Sequence, residues 1–462
     1  MKTKFLPFAF IGLLALTGCG EKTSSDIIES TWTDSEGSIH VETTKIVSVW
    51  VHKDKSEDEG KVYQAIVDNF NQANIKTASG ARVQMTIEFL GANFDTRISA
   101  ALVTRDLPDI IAVDSSEVAS RVHYGIIQGI GDYVSEERVD QYVDSVVNQG
   151  TIDGELYTLS AMEAPGGLYY NKTMLKSVGY DEGDFGTVDN PWSWNDVHEA
   201  QEKLYAAGKA YQINLHNGFG TDGDMYFYSP LIYSAGGSFG TDDHVEEALT
   251  SPESMAGLEQ LEQFYGTEGL GSNERWIYTG SNDLAFVQGL IPFSIYGPWD
   301  IRTIKNSYPA FESEYGIMPY PVYEDDNGNK SDKVAIPCGS FGFGITRDCR
   351  DEKMDAAVEA LLYLTGKESS EEMYYGIGTF PTNKESLASI AELSSGPSKV
   401  LVDSLNANEY TRPKQVKYPQ LRQAFSNILT YMRNQEYYGS DYNLAEYVAE
   451  QASDVDADQI AG

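Results

Sequence analysis

The chain has 462 residues, with 70 acidic side chains against 33 basic ones, a net charge of −37, three cysteines and six histidines. That balance argues against nucleic acid, whose phosphates are bound by clustered cations, and against docking by charge on anionic lipid. An uncharged ligand would be indifferent to it. The few cysteines and scattered histidines show no metal-ligand spacing, and a chain of this length has room for two or three domains.

Lys2 and Lys4 precede an apolar run from Phe5 to Leu16, which is shorter than the ~20 residues of a spanning helix. Basic start, short apolar core and small residues at its end describe a secretory signal peptide over residues 1–18. Leu16-Thr17-Gly18-Cys19 resembles the lipobox of bacterial lipoproteins, in which the cysteine thiol receives diacylglycerol and becomes the new N-terminus. A buried thiol is the alternative. Residues 19–44 are polar without sustained periodicity and read as a flexible tether.

"KIVSVWVH" then predicts a first strand, and "EGKVYQAIVDNFNQ" a helix with Val62, Ile66, Val67 and Phe70 on one face. "RVQMTIEFL" and "DIIAVD" supply further strands, with a helix from Phe94 to Val103 between them. Strands alternating with helices indicate an α/β fold with mixed, mostly parallel sheets. Further on, Ser193 and Asp196 have capping-box spacing ahead of a helix that Gly208 ends. Asn327-Gly328 between apolar runs signals a hairpin turn rather than a calcium loop, because the ligand order of an EF-hand is missing. "GSFGFGIT" alternates like a strand between Cys338 and Cys349. Extended, residues 340–346 span roughly 20 Å, far beyond the ~7 Å between α-carbons that a disulfide tolerates. Both thiols are therefore expected to be unpaired.

The ordered set "VWVHKD", "LPDIIAVD", "DGELYTL", "GLYYNKTML", "NPWSWNDVHEAQEKL", "FVQGLIPFSIYGPWD", "YGIMPYPV" and "SFGFGIT" resembles extracellular solute-binding proteins of the branch serving carbohydrate uptake by ABC transporters, which includes the maltose-binding type. The resemblance covers nearly all the chain from residue 45 onward. It implies a two-lobed, type II periplasmic-binding-protein-like α/β fold that closes on its ligand through a hinge of several crossings. Lobe I would hold residues 45–165 and 340–385, and lobe II residues 170–335 and 390–462. The crossings would lie near "GGLYYN", Pro337 to Ser340 and "TFPTNKES".

Sugar recognition pairs aromatic faces with planar polar side chains, and the resemblance assigns candidates of both kinds. Trp299 in "YGPWD" falls on the family's stacking tryptophan; a core tryptophan closing a turn is the alternative. Asp54 and Lys55 fall where the family's sugar-binding Asp and Lys follow the first strand, although "HKDKSEDEG" also reads as a solvated charge run. His52 replaces an Asn there. Asp114 lies just past a strand's C-terminal end, where open α/β sheets place ligands. Ala112 and Val113 stand where the family often has an aromatic. Glu163 occupies a ligand position before the hinge, or is a hinge carboxylate bonded to backbone. Tyr226 would face the cleft. Phe425 maps to a second stacking aromatic, with Arg422 one turn before it, although Phe425 also shares a core-like helical face with Leu421 and Ile428. Ser340 joins them at a crossing.

Paired carboxylates also suit a glycan-degrading enzyme, but neither a Walker loop nor a His-Glu-x-x-His motif occurs. "MYYG", at residues 373–376, resembles the adjacent tyrosines of ferric-binding proteins, and an acidic cleft would attract polyamines. The expectation is a monomeric, lipid-anchored binding protein that captures a carbohydrate, an oligosaccharide before a monosaccharide, and presents it to an ABC permease. It needs no cofactor or metal and is not an enzyme. A Gram-positive cell surface fits best, with the periplasmic face of an inner membrane as the alternative.

Overall fold

The computed structural model describes residues 26–215, 220–265, 276–278, 280, 282 and 284–458. Cys19 and the signal segment lie outside the described residues. No described helix is long and apolar enough to cross a membrane.

The first surprise is the expected tether. Ile27–Thr33 (β1) and Ile39–Val51 (β2) form an antiparallel hairpin in register from Ile27↔Lys45 to Thr33↔Ile39. The Asp34 carboxylate closes its turn by accepting from the backbone N–H groups of Glu36 and Ser38, each at 2.9 Å. Polar composition hid the hairpin. Its side chains are mostly exposed, so no buried face marks the strands, and cross-strand pairing supplies the order instead.

The inner half of β2 is buried and forms the middle of the lobe I sheet. It runs parallel to Arg82–Phe89 (β3) on one side and Ile110–Asp114 (β4) on the other. The strand Phe341–Ile345 returns from far along the chain and pairs antiparallel with β4, setting Phe341 opposite Asp114. The helix Asp58–Ala73 (α1) buries Tyr63, Ile66, Val67 and Phe70 against this sheet, each contributing roughly 1.5–3 kcal/mol by area. It ends at Asn74 in the left-handed conformation (φ 54°). Phe94–Thr104 (α2) and Asp351–Thr365 complete the layer around a core that includes Val49, Ile111, Phe343 and Leu361.

Lobe II has a second sheet in the order Ile213–Asn214, Phe293–Tyr296, Gly167–Asn171, Tyr315–Pro319. The helix Trp194–Ala206 begins with the full capping box: Ser193 Oγ accepts from Asp196 N, and Asp196 Oδ2 accepts from Ser193 N. Its core joins Leu168, Trp194, Leu231, Phe425 and Val448. A third cluster, with Tyr169, Phe286, Tyr296 and Leu401, fills another part of this lobe.

Three passages of chain run side by side between the lobes. Gly166 N donates to Pro337 O at 2.7 Å, and Phe380–Pro381 pairs with Met162–Glu163. Cys338 and Cys349 are both buried. At the Asn327-Gly328 turn, Gly328 has φ 81° and Asp325 Oδ1 accepts from the N–H groups of Asn327 and Asn329.

Candidate functional site

The C-terminal ends of β2, β3 and β4 all open toward lobe II. His52 follows β2, Gly91 follows β3, Asp114 ends β4, and Phe341 enters from the antiparallel neighbour. Together with Asp222 and Arg422 of lobe II they line a cavity of about 200 Å3. The His52 and Phe341 rings stack with centroids 3.5 Å apart. Burial drives the His52 imidazole down to a pKa of about 3, so it is neutral at physiological pH.

The charges here are paired with one another, and two pairs cross between the lobes. Arg412 Nη2 lies 2.9 Å from Asp114 Oδ1 and donates to Ser115 Oγ at 2.8 Å. Arg422 Nη1 reaches Asp222 at 2.7 Å within its own lobe and Glu117 at 3.4 Å across the gap. Arg121 ties Glu117 to Asp95. Burial alone would raise the Asp114 carboxyl. The Arg412 guanidinium and the bonds from Ser116 outweigh it and hold the group below the ordinary carboxylate range. Glu117 goes the other way: its burial outweighs Arg121 and Arg422 and raises it.

Arg412 is the hub, and sequence reasoning passed it over. "YTRPKQ" carries no pattern, and Arg412 meets Asp114 across 298 residues of chain. It also sits over the Tyr226 ring, 5.8 Å from the centroid. Gly339 makes room for it. Its φ is 123°, and a Cβ there would stand 2.6 Å from Arg412 Nη2.

Tyr226 is half-buried and donates from its hydroxyl to Ala164 O at the hinge. Its ring centroid is 6.5 Å from that of Trp299. The half-buried Trp299 ring lies over Gly297, where any Cβ would collide with it. Next to it, Asp300 Oδ2 is sealed from solvent without a hydrogen-bond partner, and burial raises that carboxyl to about 8. Asp114, Tyr226, Trp299 and Arg422 thus form a continuous wall once Arg412 is included.

The other candidates fall elsewhere. Glu163 is 0 % exposed, and its carboxylate accepts from Ser145 Oγ, Gln149 Nε2, Ala164 N and Gly339 N. Those bonds make it a clamp on the hinge crossings. Phe425 is also fully buried, packed edge-on against Phe239 at 5.3 Å inside the lobe II core. Its helical face is the core face, so the assignment as a stacking platform is corrected. Asp54 is exposed but rests its carboxylate against Gly91, on the rim of the cavity. Lys55 is exposed and lies over the Phe89 ring at 5.9 Å. Ser340 gives its carbonyl to Ser115 N at 3.0 Å. Tyr374 and Tyr375 sit within the helix Lys367–Ile377 of lobe I.

Two α/β lobes, a hinge of adjacent crossings and a cleft at the strand ends define a two-lobed binding protein. Residues 54–371 match the model of bacterial extracellular solute-binding proteins, and the chain belongs to that family. The family consists of substrate-binding transport proteins rather than enzymes. A binding protein of Brucella abortus is 21 % identical over 296 residues, covering 61 % of this chain and 66 % of that relative. Among solved structures, the cyclic α-maltosyl-1,6-maltose binding protein of Arthrobacter globiformis superposes with a TM-score of 0.68 at 20 % identity, over 89 % of this chain and 98 % of that one. The sugar-binding protein MalE of Xanthomonas citri gives 0.69 at 17 % identity, over 89 % and 96 %.

Proposed function

We propose that this protein captures a neutral carbohydrate, preferentially an oligosaccharide, in the cleft between its lobes and delivers it to an ABC permease. The observation that carries the reading is the internal pairing of the cleft charges. Asp95, Asp114, Glu117 and Asp222 are each engaged by Arg121, Arg412 or Arg422. A polyamine or an acid would have to break such a pair, whereas sugar hydroxyls can use the remaining lone pairs and N–H groups. The sugar-binding functions of the Arthrobacter and Xanthomonas proteins support the same class.

The cavity of about 200 Å3 is below the ~300–1,000 Å3 of ordinary ligand sites. A ligand of several rings therefore enters when the lobes part and the Asp114–Arg412 and Glu117–Arg422 contacts open, and those pairs re-form around it on closure. Closure follows because only the closed form lets the ligand touch both walls. Trp299 and Tyr226 offer the aromatic faces. Asp114 and Arg422 offer polar contacts beside them, with Asp54 on the rim. Lipidation at Cys19 would hold the body beside its permease on the outer face of the membrane, with a Gram-positive surface as the setting.

A thermal-shift screen against neutral mono- and oligosaccharides, polyamines and ferric ion tests the proposal. Stabilisation by an intact neutral saccharide is expected; stabilisation by a polyamine or metal alone overturns it. In calorimetry with the saccharide found, Trp299→Ala should weaken binding by at least ~1 kcal/mol from lost burial. Unchanged affinity would remove Trp299 from the site.

A further inference from the structure

A second hollow, of about 530 Å3, lies between the helices Trp299–Ser307 and Lys367–Ile377 and the start of Gly396–Ala407. None of the residues assigned to the cleft lines it. Its size falls within the ~300–1,000 Å3 of small-molecule sites. Both lobes build it. Tyr374 and Tyr375 come from a helix whose Met373 is buried in the lobe I core, and Arg302 and Lys305 come from a lobe II helix. The lobes touch at Gly378. Its φ is 86°, and a Cβ there would stand 3.2 Å from both Trp299 Cα and Arg302 Cβ.

The polar groups of the hollow point to a ligand class. Arg302 and Lys305 are three residues apart on one helix, and among the described residues neither has a hydrogen bond or ion pair. Arg302 and Lys305 thus bring N–H donors to the hollow. Glu312 and Glu392 line the same hollow. Ser398 does too: it is 8 % exposed, and its hydroxyl has no partner among the described residues. An anion would face the two carboxylates, and a cation would face the two bases. A neutral polyol needs donors and acceptors together, and finds both. Tyr375, 61 % exposed, supplies a ring face against which the C–H side of a pyranose can lie.

We propose that this hollow is an accessory saccharide subsite. A neutral pyranose unit lies on Tyr375, with its hydroxyls held between Arg302 and Lys305 on one side and Glu312 and Glu392 on the other. The inference rests on the carbohydrate reading of the cleft for its ligand class. Pro298 lines the hollow and the next residue is Trp299, so the unit is either the far end of a chain already on the cleft wall or a separate short saccharide. Because both lobes form the hollow, its occupant favours closure.

The test uses fluorotyrosine-labelled full-length protein, with the Tyr375 fluorine resonance assigned by its loss in Tyr375→Phe. Maltotetraose and maltose are the probes, and melting temperature reports the cleft in parallel. The Tyr375 resonance is expected to move with maltotetraose. A shift lost in Trp299→Ala identifies the chain-end source, and a shift produced by maltose in both proteins identifies the separate one. Tyr375→Ala, a surface change, is expected to weaken maltotetraose several-fold. A Tyr375 resonance that stays put with both sugars, together with unchanged maltotetraose affinity in Tyr375→Ala, overturns the subsite. The cleft reading fails separately, when neither sugar nor any other neutral saccharide raises the melting temperature.

Discussion

Lys353 and Asp109 meet inside lobe I at 2.5 Å, and Arg412 and Asp114 meet between the lobes at 2.9 Å. The first pair is 2 % and 5 % exposed, and Asp109 also accepts from Ser48 N and Ser48 Oγ. Every element that holds it belongs to one sheet and its covering helix, so no movement of the lobes can separate it. The second pair joins a strand end of lobe I to a loop of lobe II, and Asp114 keeps 20 % of its side chain exposed. Lobe opening can hydrate that carboxylate, and closure restores its partner. A buried ion pair within one rigid body is structural; the same chemistry between two bodies can open and re-form, which a binding cleft requires.

The contrast can be broken by mutation. Lys353→Met strands the Asp109 charge in the core and should cost about 3–5 kcal/mol in denaturant unfolding; a loss under 1 kcal/mol would make the inner pair dispensable. Phe425→Ala should cost a similar ~3–5 kcal/mol as a core cavity while leaving the saccharide affinity of the folded protein nearly unchanged. A large affinity loss at unaltered stability would return Phe425 to the binding site.

Between these and the smaller effects stands pH. His52 titrates near 6.5 when unfolded and near 3 when folded, so the unfolded chain binds the extra proton. Its contribution is fully present above about pH 6.5 and is lost as pH falls toward 3, up to a few kcal/mol. His52→Asn should flatten that part of the stability profile relative to the parent. Parallel profiles would show that the imidazole is not buried as described.

Arg412→Met should cost less than ~2 kcal/mol of stability, because Asp114 can be hydrated by opening. It should also leave the unliganded lobes more open, seen as a larger radius of gyration in X-ray scattering. An unchanged scattering curve would mean that the pair does not bridge the lobes. Smallest of all, Arg422→Ala loses a partly exposed network, and a stability change below ~1 kcal/mol that fades with added salt is expected.

Much of this molecule was legible one segment at a time. The parallel strands, the amphipathic face of α1, the Ser193–Asp196 cap and the Asn327-Gly328 turn depend on local periodicity and local hydrogen bonds, which neighbouring residues carry among themselves. Phe425 shows the limit of periodicity. A ring spaced with Leu421 and Ile428 marks a face of a helix, and only packing says whether that face meets a core or a ligand. The β1–β2 hairpin shows another limit, since an exposed ribbon needs no apolar alternation to form.

By itself, then, the sequence determined the α/β class, the family motifs and their order, and the tryptophan and acids from which a cleft could be built. The tertiary structure alone decided which of them share a wall. It drew Arg412 from an unremarked loop to Asp114, retired Glu163 into the hinge and Phe425 into the core, and set Tyr375 across a hollow from Arg302. The reason is physical. A strand or a cap is satisfied by partners a few residues away, whereas a cleft between two lobes is made of contacts hundreds of residues apart, and local patterning carries no record of them.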